Sequence, residues 1–373
     1  MNSAPAPTAV AQFRQGGDDL GTQRVLEPLG LLPQAAGRLD PSLPPYVGEI
    51  LIDVDCLNID AASFVQLESI ERAGGLPVAE QIREIVNHAG KMHNPVTGSG
   101  GMLLGRVRGI GPGYRGPLQA CAPGTRVATL VSLTLTPLHL ERIVQVHAHA
   151  HQVDVVGHAL LASSAIAAVL PDDLPPTLSL AVLDVCGAPA LCHRLAAKLP
   201  RNGRVLVLGA GKAGALALAA FRATRPDLGL FAIDRYPGPL QEVRAAGLCD
   251  ASLDLDAGDA LAVRRAVLDW PGPTAGNHEA ADAPLCDAVI NMTSLPGTEM
   301  STILACKPRG TCLFFGMATS FARVALGAEG VGADVDLIIG NGFVTGHAAF
   351  ALDLVRSQLQ VRQLLEKRLN LSS

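Results

Sequence analysis

The stretch Arg204-Val-Leu-Val-Leu-Gly-Ala-Gly-Lys-Ala-Gly214 constrains this chain more than any other. Its first five residues read as a buried strand, three glycines interrupt them, and the Ala/Leu-rich residues that follow read as a helix. In such a strand–turn–helix unit Gly209 permits the tight turn, Gly211 lets the backbone approach a pyrophosphate, and Gly214 lets the helix pack closely on the strand. Helix amide donors then face the phosphates, so Gly209, Ala210, Gly211, Lys212, Ala213 and Gly214 are all candidate contacts. Three glycines alone are a weak signal, and a buried turn without ligand is the competing reading; here the strand and helix stand where the fingerprint requires them. The next strand, GLFAID, ends in Asp234 about twenty residues past the last glycine. A carboxylate there accepts hydrogen bonds from the adenosine ribose hydroxyls and disfavours a 2′-phosphate. The expected cofactor is therefore NAD, while the neighbouring Arg235, a guanidinium able to accommodate a 2′-phosphate, keeps some use of NADP open.

From about Pro175 onward strands alternate with helices, which predicts a doubly wound parallel sheet with helices on its faces. Asn291 and Thr293 follow the strand DAVI, and Gly316 follows TCLFF. They fall at C-terminal strand ends, where a ligand binds an open α/β sheet, and are assigned to the nicotinamide half. Before Pro175 the chain reads as β-rich: EILIDVDCLNID from Glu49 alternates as a half-buried strand does, and RVATLVSLTL from Arg126 reads similarly. KMHNPVTGSGGM reads as a loop, and the glycines of LLGRVRGIGPGYRG as punctuation that continues no element. The final segment, FVTGHAAFALDLVRSQLQVRQLLEKRL, has helical periodicity, as one long helix or two.

With 373 residues, 49% hydrophobic and 17% charged, the chain is long enough for more than one core, which predicts two domains. A net charge of −5 gives no basic footprint for nucleic acid, and no stretch is long and apolar enough for a bilayer. The beginning, MNSAPAPTAVAQF, has neither the basic start nor the apolar core of a secretory signal, so a cytoplasmic protein acting on a small molecule is expected. The eight cysteines include no close C-x-x-C pair and read as reduced, buried thiols.

EILIDVDCLNID, a Gly-rich loop ending in LLGRV, PGTRVATL, an Ala-rich helix and the GAGKAG turn, in that order, resemble a medium-chain dehydrogenase. The resemblance implies a GroES-like β-rich catalytic domain, here 1–175 with 336–373, and a Rossmann domain over 176–335. Zinc-dependent members carry Cys, His and Glu ligands where this chain has Asp60, Gly101 and Met102, and glycine and methionine cannot replace nitrogen and carboxylate ligands. No metal is expected. Members of this class are usually dimers or tetramers, and the apolar DLIIG strand at Asp336 suits a homodimer. More specifically, RVLEPLGLLPQAAGRLD, EILIDVDCLNIDAASF and GKMHNPVTGSGGMLLG resemble the 3,5-diaminohexanoate dehydrogenases. That resemblance implies NAD-dependent oxidative deamination of L-erythro-3,5-diaminohexanoate to 5-amino-3-oxohexanoate in lysine fermentation.

Such a substrate carries one carboxylate and two ammonium groups. Its reacting amine must lose a proton before hydride leaves C3, which requires a general base. Asp60 is the leading acid/base or ammonium partner, with a helix- or turn-capping aspartate as the bland alternative. His93 is a candidate proton relay, and Asn94, Thr97 and Ser99 candidate hydrogen-bond donors. Lys91 or Arg24 is the candidate carboxylate partner unless each is a plain surface charge. His147, His149 and His151 recur at every second residue, so a strand would place them on one face; a solvated row is the preferred reading over a metal site. Two rival functions stay open: a zinc-free NAD(P)H quinone or enoyl reductase, and a nucleotide-binding protein without turnover.

Overall fold

A computed structural model describes residues 12–130, 133–272, 285–316, 318–340 and 342–371, with backbone only at Ala61 and Ala62. The chain divides between Asp172 and Asp173 into two units. In the first, β1 (Val25–Glu27) and β2 (Arg38–Leu39) form a small pair. The main strands are β3 (Glu49–Asn58), β4 (Met102–Ile110), β5 (Arg126–Thr129), β6 (Leu138–His147), β7 (Gln152–Ala162) and β8 (Ala167–Val169). They make an antiparallel sheet in the order β6-β7-β3-β4-β5-β8. As its alternation predicts, β3 starts at Glu49 and turns Ile50, Ile52 and Val54 into the core. Its Asp53 and Asp55 stand on the other face and pair with Arg108 and Arg106 of β4.

Two readings of this part are corrected. The glycine-bearing LLGRVRGI does not break up the chain; it lies within β4, because Gly105 lies where a Cβ would come within 2.2 Å of the Asp53 carbonyl, so absence of a side chain is what lets the two strands approach. The strand read from Arg126 ends at Thr129; residues 131–132 lie outside the described ones, and Leu133–Leu135 form a 3-10 turn. Two helices also stand in this β-rich part, α1 (Ala61–Arg72) and α2 (Val78–Ala89), the latter burying Val78, Ile82 and Val86 at helical spacing.

The second unit begins with α3 (Pro176–Leu183) and α4 (Gly187–Ala196). It continues through β9 (Arg204–Leu208), α5 (Lys212–Thr224), β10 (Gly229–Asp234), α6 (Pro237–Ala245), β11 (Ala251–Asp254), α7 (Ala260–Asp269) and β12 (Cys286–Asn291). Then come α8 (Glu299–Leu304), β13 (Cys306–Phe314), α9 (Phe321–Gly330), β14 (Asp336–Ile339), α10 (His347–Ser357) and α11 (Leu359–Arg368). The sheet is parallel, in the order β11-β10-β9-β12-β13-β14, so its first strand is central and the order reverses between β9 and β12. That is the doubly wound arrangement expected, with ligand sites at the C-terminal strand ends of the reversal point. All five residues of β9 are buried, as a strand covered on both faces requires.

The domain boundary needs correction. The described residues from 336 onward do not return to the β-rich unit: β14 pairs with β13 from Thr311↔Asp336 to Phe314↔Ile339, α10 packs on α3, α4 and α5, and α11 packs on α5 and α6. The apolar stripe Ala351, Leu352, Leu354, Val355, Val361, Leu364 and Leu365 is buried there. Helical periodicity announces such a stripe without saying which surface it covers.

Candidate functional site

Gly209 directly follows β9 with φ 93°, a left-handed conformation that favours glycine. A Cβ on Gly214 would lie 1.9 Å from the Gly209 carbonyl oxygen, so α5 packs against the turn only without one. Gly211 is the opposite case: nothing lies within 4 Å of its Cβ position, and it lines a cleft of about 360 Å³ with Gly209, Asp234, Arg235, Tyr236 and Thr293. Asp234 Oδ2 accepts the Ala210 N–H at 2.7 Å and its Oδ1 accepts the Tyr236 N–H at 2.9 Å. A carboxylate has about four acceptor positions, which leaves two for ribose hydroxyls. Arg235 rests on the next residue, its guanidinium 4.8 Å over the Tyr236 ring and donating to the Tyr236 hydroxyl at 2.6 Å. Lys212 Nζ is 2.6 Å from Asp184 Oδ2, and Ala213 sits in the first turn of α5.

Asn291 is 1% exposed and fully occupied by its own chain. It donates to Thr298 Oγ1 at 2.8 Å and Thr302 Oγ1 at 3.0 Å, and accepts from the Thr293 hydroxyl at 3.0 Å. It shapes the loop that presents Thr293 to the cleft. Gly316 lies beneath that loop, where a Cβ would come 2.0 Å from the Thr293 carbonyl. The glycine-lined opening, the half-free carboxylate and the cleft together fit a nicotinamide dinucleotide.

In the first unit the polar loop and Asp60 come together through a residue the sequence reading missed. Asp60 is the N-cap of α1, its Oδ1 accepting the Ser63 N–H at 3.1 Å. Ser63, itself fully buried, places its hydroxyl 2.5 Å from Thr97 Oγ1 and thereby ties the cap to the loop. The D-x-x-S spacing was the available signal. Asp60 Oδ2 is buried and has no hydrogen-bond partner among the described residues. Asn94, 0% exposed, builds the loop: it accepts from Val96 N at 2.9 Å, donates to Gln66 Oε1 at 2.8 Å, and its backbone N–H donates to the Ser99 carbonyl at 2.8 Å. Its side chain is spent on architecture. The His93 ring has no hydrogen-bond partner among the described residues. Burial, then the charge of Lys91, holds it below the usual histidine value. Gly101 has φ 102°, and a Cβ there would come 2.1 Å from the Asn58 carbonyl, so the backbone admits no side chain at this position.

Neither candidate carboxylate partner is a surface charge. Lys91 is 0% exposed, donates to the Pro33 and Gln34 carbonyls at 3.0 and 3.4 Å, and is pulled down to about 8 by burial. Arg24 is held by Glu49 at 2.6 Å and by the Ser42 carbonyl at 2.7 Å. The histidine row is not a strand either. β6 ends at His147, 148–150 form a 3-10 turn, and His151 has φ 53° just before the return strand β7. His147 pairs with Asp154 at 2.8 Å, His149 is exposed, and His151 lies 5.0 Å from the Phe64 ring. Alternation failed here because the hairpin reverses within the row.

Residues 23–171 match the family described as L-erythro-3,5-diaminohexanoate dehydrogenase N-terminal domain. The L-erythro-3,5-diaminohexanoate dehydrogenase of Fusobacterium nucleatum subsp. nucleatum is 42% identical over 354 residues, 93% of this chain and 97% of that protein. That of Acetoanaerobium sticklandii is 42% identical over 353 residues with the same coverage. Among solved structures, an alcohol dehydrogenase from Thermotoga maritima has a TM-score of 0.52 at 13% identity, over 88% of this chain and 86% of that one. The Thermus sp. ATN1 alcohol dehydrogenase has a TM-score of 0.50 at 18% identity, over 87% and 89%. These remote likenesses speak for the fold alone, a GroES-like β-rich unit and a Rossmann unit. Identity at 42% along nearly the whole length speaks for more: the chain belongs to the L-erythro-3,5-diaminohexanoate dehydrogenase family.

Proposed function

We propose that this chain catalyses the NAD-dependent oxidative deamination of L-erythro-3,5-diaminohexanoate to 5-amino-3-oxohexanoate with release of ammonium, a step of lysine fermentation. The observation that carries the reading is the 42% identity, over 93% of the chain, to two relatives of that name. A dinucleotide held by the glycine turn would supply the hydride acceptor, and a water molecule then replaces the nitrogen of the resulting imine, giving the 3-oxo group and releasing ammonium. His93, kept neutral by burial and by Lys91, takes a proton from the substrate ammonium, and the partnerless Oδ2 of Asp60 holds an ammonium group. The Thr97 and Ser99 hydroxyls are assigned as further hydrogen-bonding groups for the substrate, the Thr97 hydroxyl already standing beside that of Ser63. The test is to offer the purified chain NAD⁺ with diaminohexanoate, an alcohol or a reduced quinone separately. NADH and ammonium are expected in equal amounts from the diaminohexanoate alone; NADH without ammonium would refute the deamination.

Preference for NAD over NADP rests on Asp234 at the end of β10. Asp234→Ala is expected to weaken NAD⁺ by about 1–3 kcal/mol, the cost of leaving ribose hydroxyls without a charged acceptor. It should also narrow the NAD/NADP preference, read from the two dissociation constants; unchanged selectivity removes Asp234 from the ribose site. Because no side chain fits at Gly101, where zinc-dependent relatives carry a ligand, prolonged chelation is expected to leave activity intact. Activity lost to chelation and restored by Zn²⁺ would overturn the metal-free reading. We place the enzyme in the cytoplasm and read it as a homodimer, the latter supported by the edge strand β14, where Ile339 is 54% exposed.

A further inference from the structure

We infer that Arg368, in the last helix of the chain, is a positioning residue that aims the backbone of the glycine turn at the cofactor phosphates; the inference rests on the nucleotide reading of that turn. Arg368 Nη2 donates to the Ala210 carbonyl at 3.1 Å, while its Nε donates to Glu242 Oε2 at 2.8 Å. Lys367 approaches the other oxygen of Glu242 at 3.2 Å, so the carboxylate that holds the guanidinium is itself held from two sides. The planar fork of an arginine suits this, since one guanidinium can serve a carboxylate and a carbonyl at fixed angles.

The consequence follows from peptide geometry. The Ala210–Gly211 unit is planar and trans, so its C=O and N–H point in opposite directions. Arg368 draws the Ala210 oxygen toward α6 and α11, which turns the Gly211 N–H the other way. That N–H has no acceptor among the described residues, and Gly211 lines the cleft with open space at its Cβ position. On its other side, the Ala210 N–H is fixed by Asp234 at 2.7 Å. Ala210 is thus gripped by two side chains, one expected to hold ribose and one that touches no ligand. Asp234 answers for the ribose end, whereas Arg368 acts through the amide that meets the pyrophosphate.

This division makes a test that simple loss of structure does not imitate. Binding of ADP-ribose, which carries the pyrophosphate, and of adenosine, which does not, is measured for the wild-type chain, Arg368→Met and Glu242→Gln. Arg368→Met is expected to weaken ADP-ribose at least about tenfold and leave adenosine within about twofold. Glu242→Gln, which loosens the guanidinium and keeps its donors, is expected to show the same selective loss at about threefold or more, and it decides the matter if Arg368→Met does not fold. Equal weakening of both ligands, or of neither, overturns the positioning role. A wild-type chain that binds neither ligand refutes the nucleotide reading itself, a result separable from a failure of Arg368 alone.

Discussion

Asp60→Asn is expected to lower kcat/KM for oxidative deamination by about 10²–10⁴-fold, the usual weight of a general acid–base or charge partner. Stability should hardly change. Asparagine caps a helix about as well as aspartate, so the hydrogen bond that Asp60 Oδ1 accepts from the Ser63 N–H has an equivalent in the mutant. What is lost is the carboxyl group itself: Oδ2, the buried oxygen that the described residues leave without a partner, gives way to an amide. NADH affinity should be kept, because the glycine turn and Asp234 belong to the other unit. His93→Ala in parallel is expected to lose a similar factor. Since burial and then Lys91 depress the His93 value, the ring is neutral at neutral pH, and wild-type kcat/KM should fall only as pH drops through a value below 6.5, where the base becomes protonated. If Asp60→Asn stays within about threefold of wild type while His93→Ala loses a hundredfold or more, Asp60 is a helix cap and the chemistry belongs to the 91–101 loop.

Two glycines three residues apart are expected to fail in opposite ways. In Gly214→Ala the new Cβ meets the Gly209 backbone oxygen at 1.9 Å, and no flexible side chain is there to give way. Helix α5 must lift from the turn, at a cost of about 1–3 kcal/mol or more, and the phosphate-facing amides move with it. Thermal stability and NADH affinity should both drop. In Gly211→Ala the methyl enters open space, so the melting temperature should stay, yet the methyl stands where the pyrophosphate approaches. NADH is expected to bind at least about tenfold more weakly, or 1.4 kcal/mol. Thermal melting and NADH fluorescence titration on both variants separate the two effects. Normal NADH binding by Gly211→Ala would remove Gly211 from the phosphate contact.

The nucleotide half was legible because its signals are local. A glycine spacing, a strand-end acid and alternating elements lie within short windows, and each fixes a backbone event that tertiary context has little room to alter. The polar loop was legible as a loop but not as a mechanism. Asn94 and Asp60 sit within a few residues of good capping contexts, and only the fold says that Asn94 is consumed by its own turn whereas Asp60 keeps one oxygen free. Lys91 and Arg24 misled for a related reason. Sequence shows a cation, and burial against carbonyls or beside Glu49 is settled by residues about twenty to sixty positions away. The histidine row and the C-terminal helices show the same limit, since periodicity gives a face and never its partner. Ser63 and Arg368 went unnoticed because each acts through another residue's backbone or side chain.

Since β14, α10 and α11 stay with the parallel sheet, the chain passes between its two units once, and each unit is one uninterrupted stretch. During synthesis the β-rich unit is therefore complete once residue 172 has left the ribosome, since none of the described strands and helices beyond it belongs to that unit. At about 5–20 residues per second residues 173–373 take ~10–40 s more, ample time for the first unit to condense alone. A fragment ending at residue 172 is expected to melt cooperatively in calorimetry, while one stopped at residue 335, which loses the edge strand and both final helices, should leave the nucleotide-binding half unfolded. A fragment ending at 172 that shows no transition would mean that this unit waits for the other to be made.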